Sequence, residues 1–330
     1  MEELKIEEQN LAEEKDWFEK QWANPKHVKV IGSDEHGLKS EFFDVYDIKP
    51  EEGKQKEETP IVIGMGWGAI PESDKKGIRY WTEHGRRVII SDTPHGISAE
   101  GKEGYANVEI EKMTALIEAL RVKGIEIKED GTSTGKINLM GRSEGAIFSV
   151  LLAYLYPQLV NDLVLENPAG LTGEINLGIF AKRWMDVMKQ QNFKKYKYKE
   201  VGEKPKDTMP EVFARNPAKM IESVLAISTS DVREMLKEIR ANGIGVSVIA
   251  TTDDKFFPIE KLVGTVENGE VVPELTAKDV DGFYSLRGSH DTYFYKPEEF
   301  AAVVDSAFDA LDAKRKKREE EAKNNHNNQS

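Results

Sequence analysis

Short apolar runs spaced along the middle of the chain set its rhythm. They are Ile61-Val62-Ile63, Arg87-Val88-Ile89-Ile90, Lys136-Ile137-Asn138-Leu139-Met140, Leu163-Val164-Leu165, Val246-Ser247-Val248-Ile249 and Gly282-Phe283-Tyr284-Ser285-Leu286. Runs of this kind, separated by helical segments, are how strands buried on both faces of a parallel sheet read. Between them the apolar spacing shifts to the period of amphipathic helices. It predicts helices over Asp74–His84, Tyr105–Val122, Ser143–Tyr156 and Pro297–Ala313. Two earlier segments, His27–Ile31 and Glu41–Ile48, predict edge strands joined by a polar turn, and Lys49–Thr59 predicts a loop. The fold class is therefore α/β: a central, mostly parallel sheet flanked by helices, with two antiparallel strands in front.

The alternation breaks between Leu171 and Asn242, where no strand is written and helices are predicted over Ile179–Gln190, Pro210–Arg215, Ala218–Ala226 and Asp231–Ala241. This reads as a helical insertion over the carboxyl ends of the strands, where sites in such sheets lie. At the front, Leu4, Leu11, Phe18 and Trp22 share a stripe closed by Asn24-Pro25, predicting a helix docked on the body. The expected organisation is an N-terminal helix over residues 1–26, a core over 27–170 and 243–312, a helical cap insertion over 171–242, and a disordered charged tail over 313–330.

Composition narrows the function classes. The 330 residues are 39% hydrophobic and 32% charged, with a net charge of −13 that repels nucleic acid and anionic membrane. There is no cysteine, which excludes disulfides, thiolate metal sites and a cysteine nucleophile. Met1-Glu2-Glu3-Leu4-Lys5 lacks the basic start and apolar core of a signal peptide, so a cytoplasmic location is expected. The basic run Lys194-Lys195-Tyr196-Lys197-Tyr198-Lys199 reads as a solvated loop. Attraction of anionic substrates to a site mouth is the alternative.

The chemistry centres on Gly141-Arg142-Ser143-Glu144-Gly145, between a strand-like run and a helical pattern. This is the sequence form of a serine held on a tight strand-to-helix turn. Such a serine takes a strained, positive-φ conformation that crowds the positions two before and two after it, where glycine has no Cβ to clash. A serine hydroxyl needs a base, commonly histidine, oriented by a carboxylate. Of six histidines, His326 lies in the tail, His27 and His36 belong to the front strands, His84 ends a helix, and His95 sits in a turn. His290 follows the last strand and can reach the same sheet edge as Ser143. The carboxylate is expected from the end of the strand before it, where Asp253 and Asp254 stand side by side. Two backbone N–H donors are needed for an oxyanion. One is expected at Glu144, the other in Gly64-Met65-Gly66-Trp67-Gly68-Ala69.

With these residues assembled, the chain resembles the α/β-hydrolase fold superfamily over about residues 27–312, in the order Ser143, Asp, His290. Met65-Gly66-Trp67-Gly68 falls on the family's His-Gly-x-Gly oxyanion loop, with methionine in place of histidine, which implies Trp67 N–H as the second donor. Asp92-Thr93-Pro94-His95-Gly96-Ile97-Ser98 is similar to the family's Asp-x-x-Gly-His-Gly-x-Ser turn, one glycine short. Gly288-Ser289-His290, with Pro297-Glu298-Glu299-Phe300 beyond it, is similar to the catalytic histidine and final helix. Residues 171–242 fall where the family inserts its cap. The family's acid lies four residues before a proline, and Pro258 selects Asp254; counting from Ala250 as the turn glycine selects Asp253 instead. The resemblance implies a serine hydrolase acting on a small-molecule acyl substrate, by default a carboxylic ester, with catalytic residues Ser143, Asp254 and His290, oxyanion donors Trp67 and Glu144, and no metal or organic cofactor. The negative charge of Glu144 beside the oxyanion position counts against anionic substrates.

C–C bond hydrolases, lactonases and haloperoxidases share this constellation, and a non-catalytic binding protein can share the scaffold. A nicotinamide-dependent oxidoreductase competes through Gly64-x-Gly66-x-x-Ala69 and Asp92. Against it, two strands precede those glycines, and Pro71 and Ser73 delay the helix that should begin within them.

Overall fold

The computed structural model describes residues 17–34, 37–92, 106–173, 175–197, 217–263, 265–267, 270–272, 275–276 and 278–327. The first two strands, β1 (Lys26–Asp34) and β2 (Gly37–Ile48), form an antiparallel pair. The apolar runs form β3 (Glu57–Gly64), β4 (Arg86–Ser91), β5 (Ile137–Arg142), β6 (Val160–Glu166), β7 (Gly245–Thr251) and β10 (Gly282–Leu286). All eight join one sheet in the order β1-β2-β4-β3-β5-β6-β7-β10. Pairing from β4 to β10 is parallel, and β2 meets β4 antiparallel.

Because successive side chains of a strand point to opposite faces, each central strand feeds two cores. Val62, Ile89 and Leu139 join one cluster with Met113, Leu116 and Leu152. They meet α3 (Ala106–Arg121) and α4 (Gly145–Leu155). Ile61, Ile63, Val88 and Ile90 join the other with Trp81, Phe300 and Val304, from α2 (Lys75–Glu83) and α10 (Pro297–Asn327). Trp81 is fully buried and its indole N–H donates to Ala301 O at 2.9 Å, tying α2 to α10. Residues 17–22 form a short helix, α1, whose Phe18 and Trp22 are buried, with Trp22 stacked on Tyr46 at 4.6 Å. Burying two such rings contributes about 1.5–3 kcal/mol each.

Among the described residues, three helices separate β6 from β7: α5 (Leu177–Lys197), α6 (Pro217–Thr229) and α7 (Arg233–Ala241). The last packs into the flanking layer of the sheet. Its Leu236 and Ile239 are fully buried in the core cluster, and Val232 N donates to Gly170 O just before it. The basic run begins inside α5, with Lys194–Lys197 helical, and the segment Pro210–Arg215 lies outside the described residues, as do the turn at His95, Leu4, Leu11 and His36.

The tail departs from expectation. Instead of ending near Ala313, α10 runs on to Asn327, through most of the segment expected to be disordered. Its charges are spaced for a helix: Arg315 pairs with Asp312 and Glu319, Lys316 with Asp312, and Lys317 with Glu321. Such pairs each support a helix by a few tenths of a kcal/mol, and Lys314 Nζ also bonds Asp281 O. Smaller elements the pattern did not show are α8 (Ile259–Val263), α9 (Thr292–Tyr295) and the hairpin β8 (Thr265–Glu267) and β9 (Glu270–Val272). β3 also begins at Glu57, inside the expected loop, with a register shift before Ile61. Among the described residues, no helix is long and apolar enough to cross a membrane.

Candidate active site

Sheet register brings the reactive segments to one edge. Arg142 at the end of β5 is opposite Glu166 on β6, which is opposite Ile249 on β7, while Leu286 on β10 is opposite Thr251. The chain leaving each of these strands therefore enters a common space. Ser143 turns there with φ +52°, in the left-handed region that a non-glycine residue rarely occupies. The turn requires its glycines: a Cβ on Gly145 would stand 2.1 Å from Gly64 O, and one on Gly141 would stand 2.8 Å from Ala146 Cα. Ser143 N donates to Glu166 O at 2.9 Å, and Ser143 O accepts from Ala169 N at 3.0 Å, holding the strained residue from both sides. Helix α4 starts two residues later, aiming its N-terminal dipole at the serine.

His290 Nε2 lies 3.1 Å from Ser143 Oγ, and its Nδ1 lies 2.8 Å from Asp254 Oδ2. Asp254 is itself oriented, because Oδ1 accepts the backbone N–H groups of Phe256 at 2.7 Å and Phe257 at 3.0 Å. Asp254 is buried and Asp253 exposed, as expected for adjacent residues pointing to opposite sides. Asp253 instead contributes its backbone N–H to Gly288 O at 2.7 Å, which fastens the loop carrying His290. Burial alone would pull the His290 imidazole down, but Asp254, with further contributions from Asp291 and Glu166, carries it up to about 9.

The loop after β3 presses its backbone on the serine, since a Cβ on Gly66 would lie 3.1 Å from Ser143 Cβ. Trp67 follows Gly66 on this loop, and Glu144 follows Ser143 in the turn. Above them is an aromatic wall. Trp67 meets Trp184 at 4.9 Å and Phe180 at 6.2 Å, both from α5. Phe256 meets Phe180 at 5.4 Å, Trp184 at 5.9 Å and His290 at 5.1 Å. Arg183 of α5 donates to Phe256 O at 2.8 Å. The helix is thus fastened to the acid loop and to the loop after β3 at once.

Behind the serine lies a polar network that the sequence did not disclose. Arg142 is buried, forks onto both carboxylate oxygens of Asp74, and stacks over the Tyr293 ring at 3.6 Å. Glu166, fully buried, has Oε2 3.3 Å from Arg142 Nε and accepts from Asn167 Nδ2 at 2.5 Å. Burial pushes its carboxyl up to about 8 against the pull of Arg142, whose fork is already given to Asp74. Asn167, at φ +40°, accepts from Thr251 N at 2.8 Å, which joins the ends of β6 and β7. Lys112 and Glu109 of α3 are also buried, against Glu144. Their one sequence signal is a lysine standing in the apolar stripe Val108, Lys112, Leu116, Ala119. No group of three or more His, Asp or Glu side chains suited to a metal occurs among the described residues.

No family model matches the chain. Solved structures do. An α/β-hydrolase enzyme from a Medee basin deep-sea metagenome library superposes with a TM-score of 0.56 at 18% identity, over 84% of this chain and 97% of that one. A thermophilic esterase from Thermogutta terrifontis gives 0.58 at 14% identity, over 87% and 99%. A bromoperoxidase from Bacillus anthracis gives 0.56 at 16%, over 86% and 100%.

Proposed function

From the α/β-hydrolase fold, which this chain has, we propose that the protein is a serine hydrolase whose nucleophile is Ser143 and whose substrate is a small carboxylic ester. One observation carries the reading: a serine on a positive-φ turn lies within hydrogen-bond reach of a histidine whose other nitrogen is held by a buried aspartate. His290 takes the Ser143 proton as the hydroxyl oxygen attacks the acyl carbonyl. The backbone N–H groups of Trp67 and Glu144 receive the negative charge that develops on the carbonyl oxygen. Collapse of the tetrahedral intermediate breaks the bond to the leaving alkoxide, which His290 protonates. A water deprotonated by His290 then releases the acid from the acyl-enzyme by the same route. Every step uses groups of this chain. The aromatic wall of Trp67, Phe180, Trp184 and Phe256 favours an apolar acyl or alcohol group, and helix α5 acts as the covering element.

A fluorophosphonate tests the assignment directly. It should label the peptide containing Ser143, and Ser143→Ala should abolish labelling with the fold retained and lower ester turnover by about 10⁶. Labelling at a different serine, or full esterase activity in the alanine variant, rejects it.

A further inference from the structure

Helix α3 carries an ion cluster into the layer just under Glu144. Lys112 Nζ hydrogen-bonds Glu144 Oε1 and also Ser223 Oγ at 3.0 Å, and Glu109 Oε1 stands 3.6 Å away. The side chains of Glu109, Glu144 and Lys112 are 1%, 2% and 6% exposed. Three buried ionisable groups are costly to desolvate, and apolar residues of similar volume would pack there at no such cost. Their neighbours along α3, Val108, Met113, Ala115 and Leu116, are apolar and buried. The cluster is placed at the one residue where an uncompensated carboxylate would do most harm. Glu144 supplies an amide to the oxyanion position, and its own charge would oppose the anion forming there.

We propose that Lys112 is a positioning residue for the oxyanion site: it neutralises the Glu144 carboxylate, clamps the turn that presents the Glu144 amide, and is itself held by Ser223 of helix α6. This rests on the reading of Ser143 as nucleophile. Burial raises the Glu109 carboxyl well above its ordinary range, against the pull of Lys112. Burial acts against the Lys112 ammonium, but Glu109 and Glu144 together hold it charged. Asp92, after β4, borders the same small cavity as Lys112. Ser223 brings the insertion into the assembly, so that α6 is tied through Lys112 to the residue after Ser143.

The test compares steady-state kinetics and phosphonate labelling in wild type, Lys112→Met, Lys112→Arg, the double variant Lys112→Met/Glu144→Gln, and Ser223→Ala. Lys112→Met should lower kcat by about 100-fold, the scale of losing an oxyanion donor, with KM changed less than about threefold. Lys112→Arg should recover most of that loss, and the double variant should exceed Lys112→Met by about tenfold because no unpaired carboxylate remains. Ser223→Ala deletes a single hydrogen bond and should lower kcat about fivefold at unchanged KM. Wild-type kcat in Lys112→Met, or no recovery in the double variant, overturns the proposal. Where Lys112→Met does not fold, wild-type kcat in Ser223→Ala overturns it instead. Absence of phosphonate labelling in wild type rejects the nucleophile reading itself, an outcome distinct from unaltered variants of a labelled enzyme.

Discussion

At the scale of single residues, the proposed chemistry makes the protonation of His290 govern what Ser143 can do. Held at about 9 by Asp254, the imidazole is a cation at neutral pH, and only its neutral form accepts the serine proton. The kcat/KM for ester hydrolysis should therefore rise with pH through a limb centred near 9. Asp254→Asn should move that midpoint down toward 6.5 and lower kcat by about 10³–10⁴-fold, as a wrong tautomer does in a protease triad. Asp253→Asn should leave both as they are. A pH-rate profile for each variant decides it, and a midpoint still near 9 in Asp254→Asn would count against the assignment. Ser143 and His290 were legible in the sequence because each is announced locally, one by flanking glycines and the other by its place after the last strand. The two aspartates were not separable from spacing alone, since two counts disagreed. The fold separates them by pointing alternate side chains to opposite sides. Lys112 and Glu166 were unreadable for a different reason: their partners lie on other elements, and no local pattern encodes a contact between α3 and the turn at Ser143.

At the scale of elements, α5 is the piece whose removal from the site should change choice without changing chemistry. Phe180 and Trp184 touch the loop after β3 through Trp67 and the acid loop through Phe256. Trp184→Ala should shift the preference between short and long or aromatic acyl esters by about tenfold or more, the scale set by apolar pocket contacts. Phosphonate labelling of Ser143 should persist. An ester panel with an unchanged profile would remove α5 from the binding site. The strands were legible because burial on both faces forces continuous apolar runs, as in β5 and β7. The hairpin β8–β9 was not, because three residues per strand show no period. Helix α7 was found but assigned to the insertion. Its amphipathic pattern records that it buries one face, not which neighbour it buries that face against. The last helix was cut short at Ala313 because apolar residues stop there, while its later turns are held by charge spacing instead.

At the scale of the whole molecule, Glu166 links stability to pH. Its carboxyl titrates near 8 when folded, against an ordinary 4.5. Between those values the folded state keeps a proton that the unfolded chain has lost, so stability falls as pH rises and the contribution is gone above about 8. The slope from this group is about 1.4 kcal/mol per pH unit. Denaturant unfolding from pH 5 to 8.5 should show a decline in wild type that is shallower by that slope in Glu166→Gln. Equal slopes in the two proteins would place the proton elsewhere. The long final helix has a mechanical consequence of its own. Leu311 is the last residue of α10 that is packed into the core, and the described side chains from Lys316 onward face solvent. At 1.5 Å per residue, the stretch from Lys316 to Asn327 is a stiff rod about 18 Å long. A fluorophore or tether attached through a cysteine introduced on that rod would be the only thiol in the molecule, carried at a fixed offset from the body.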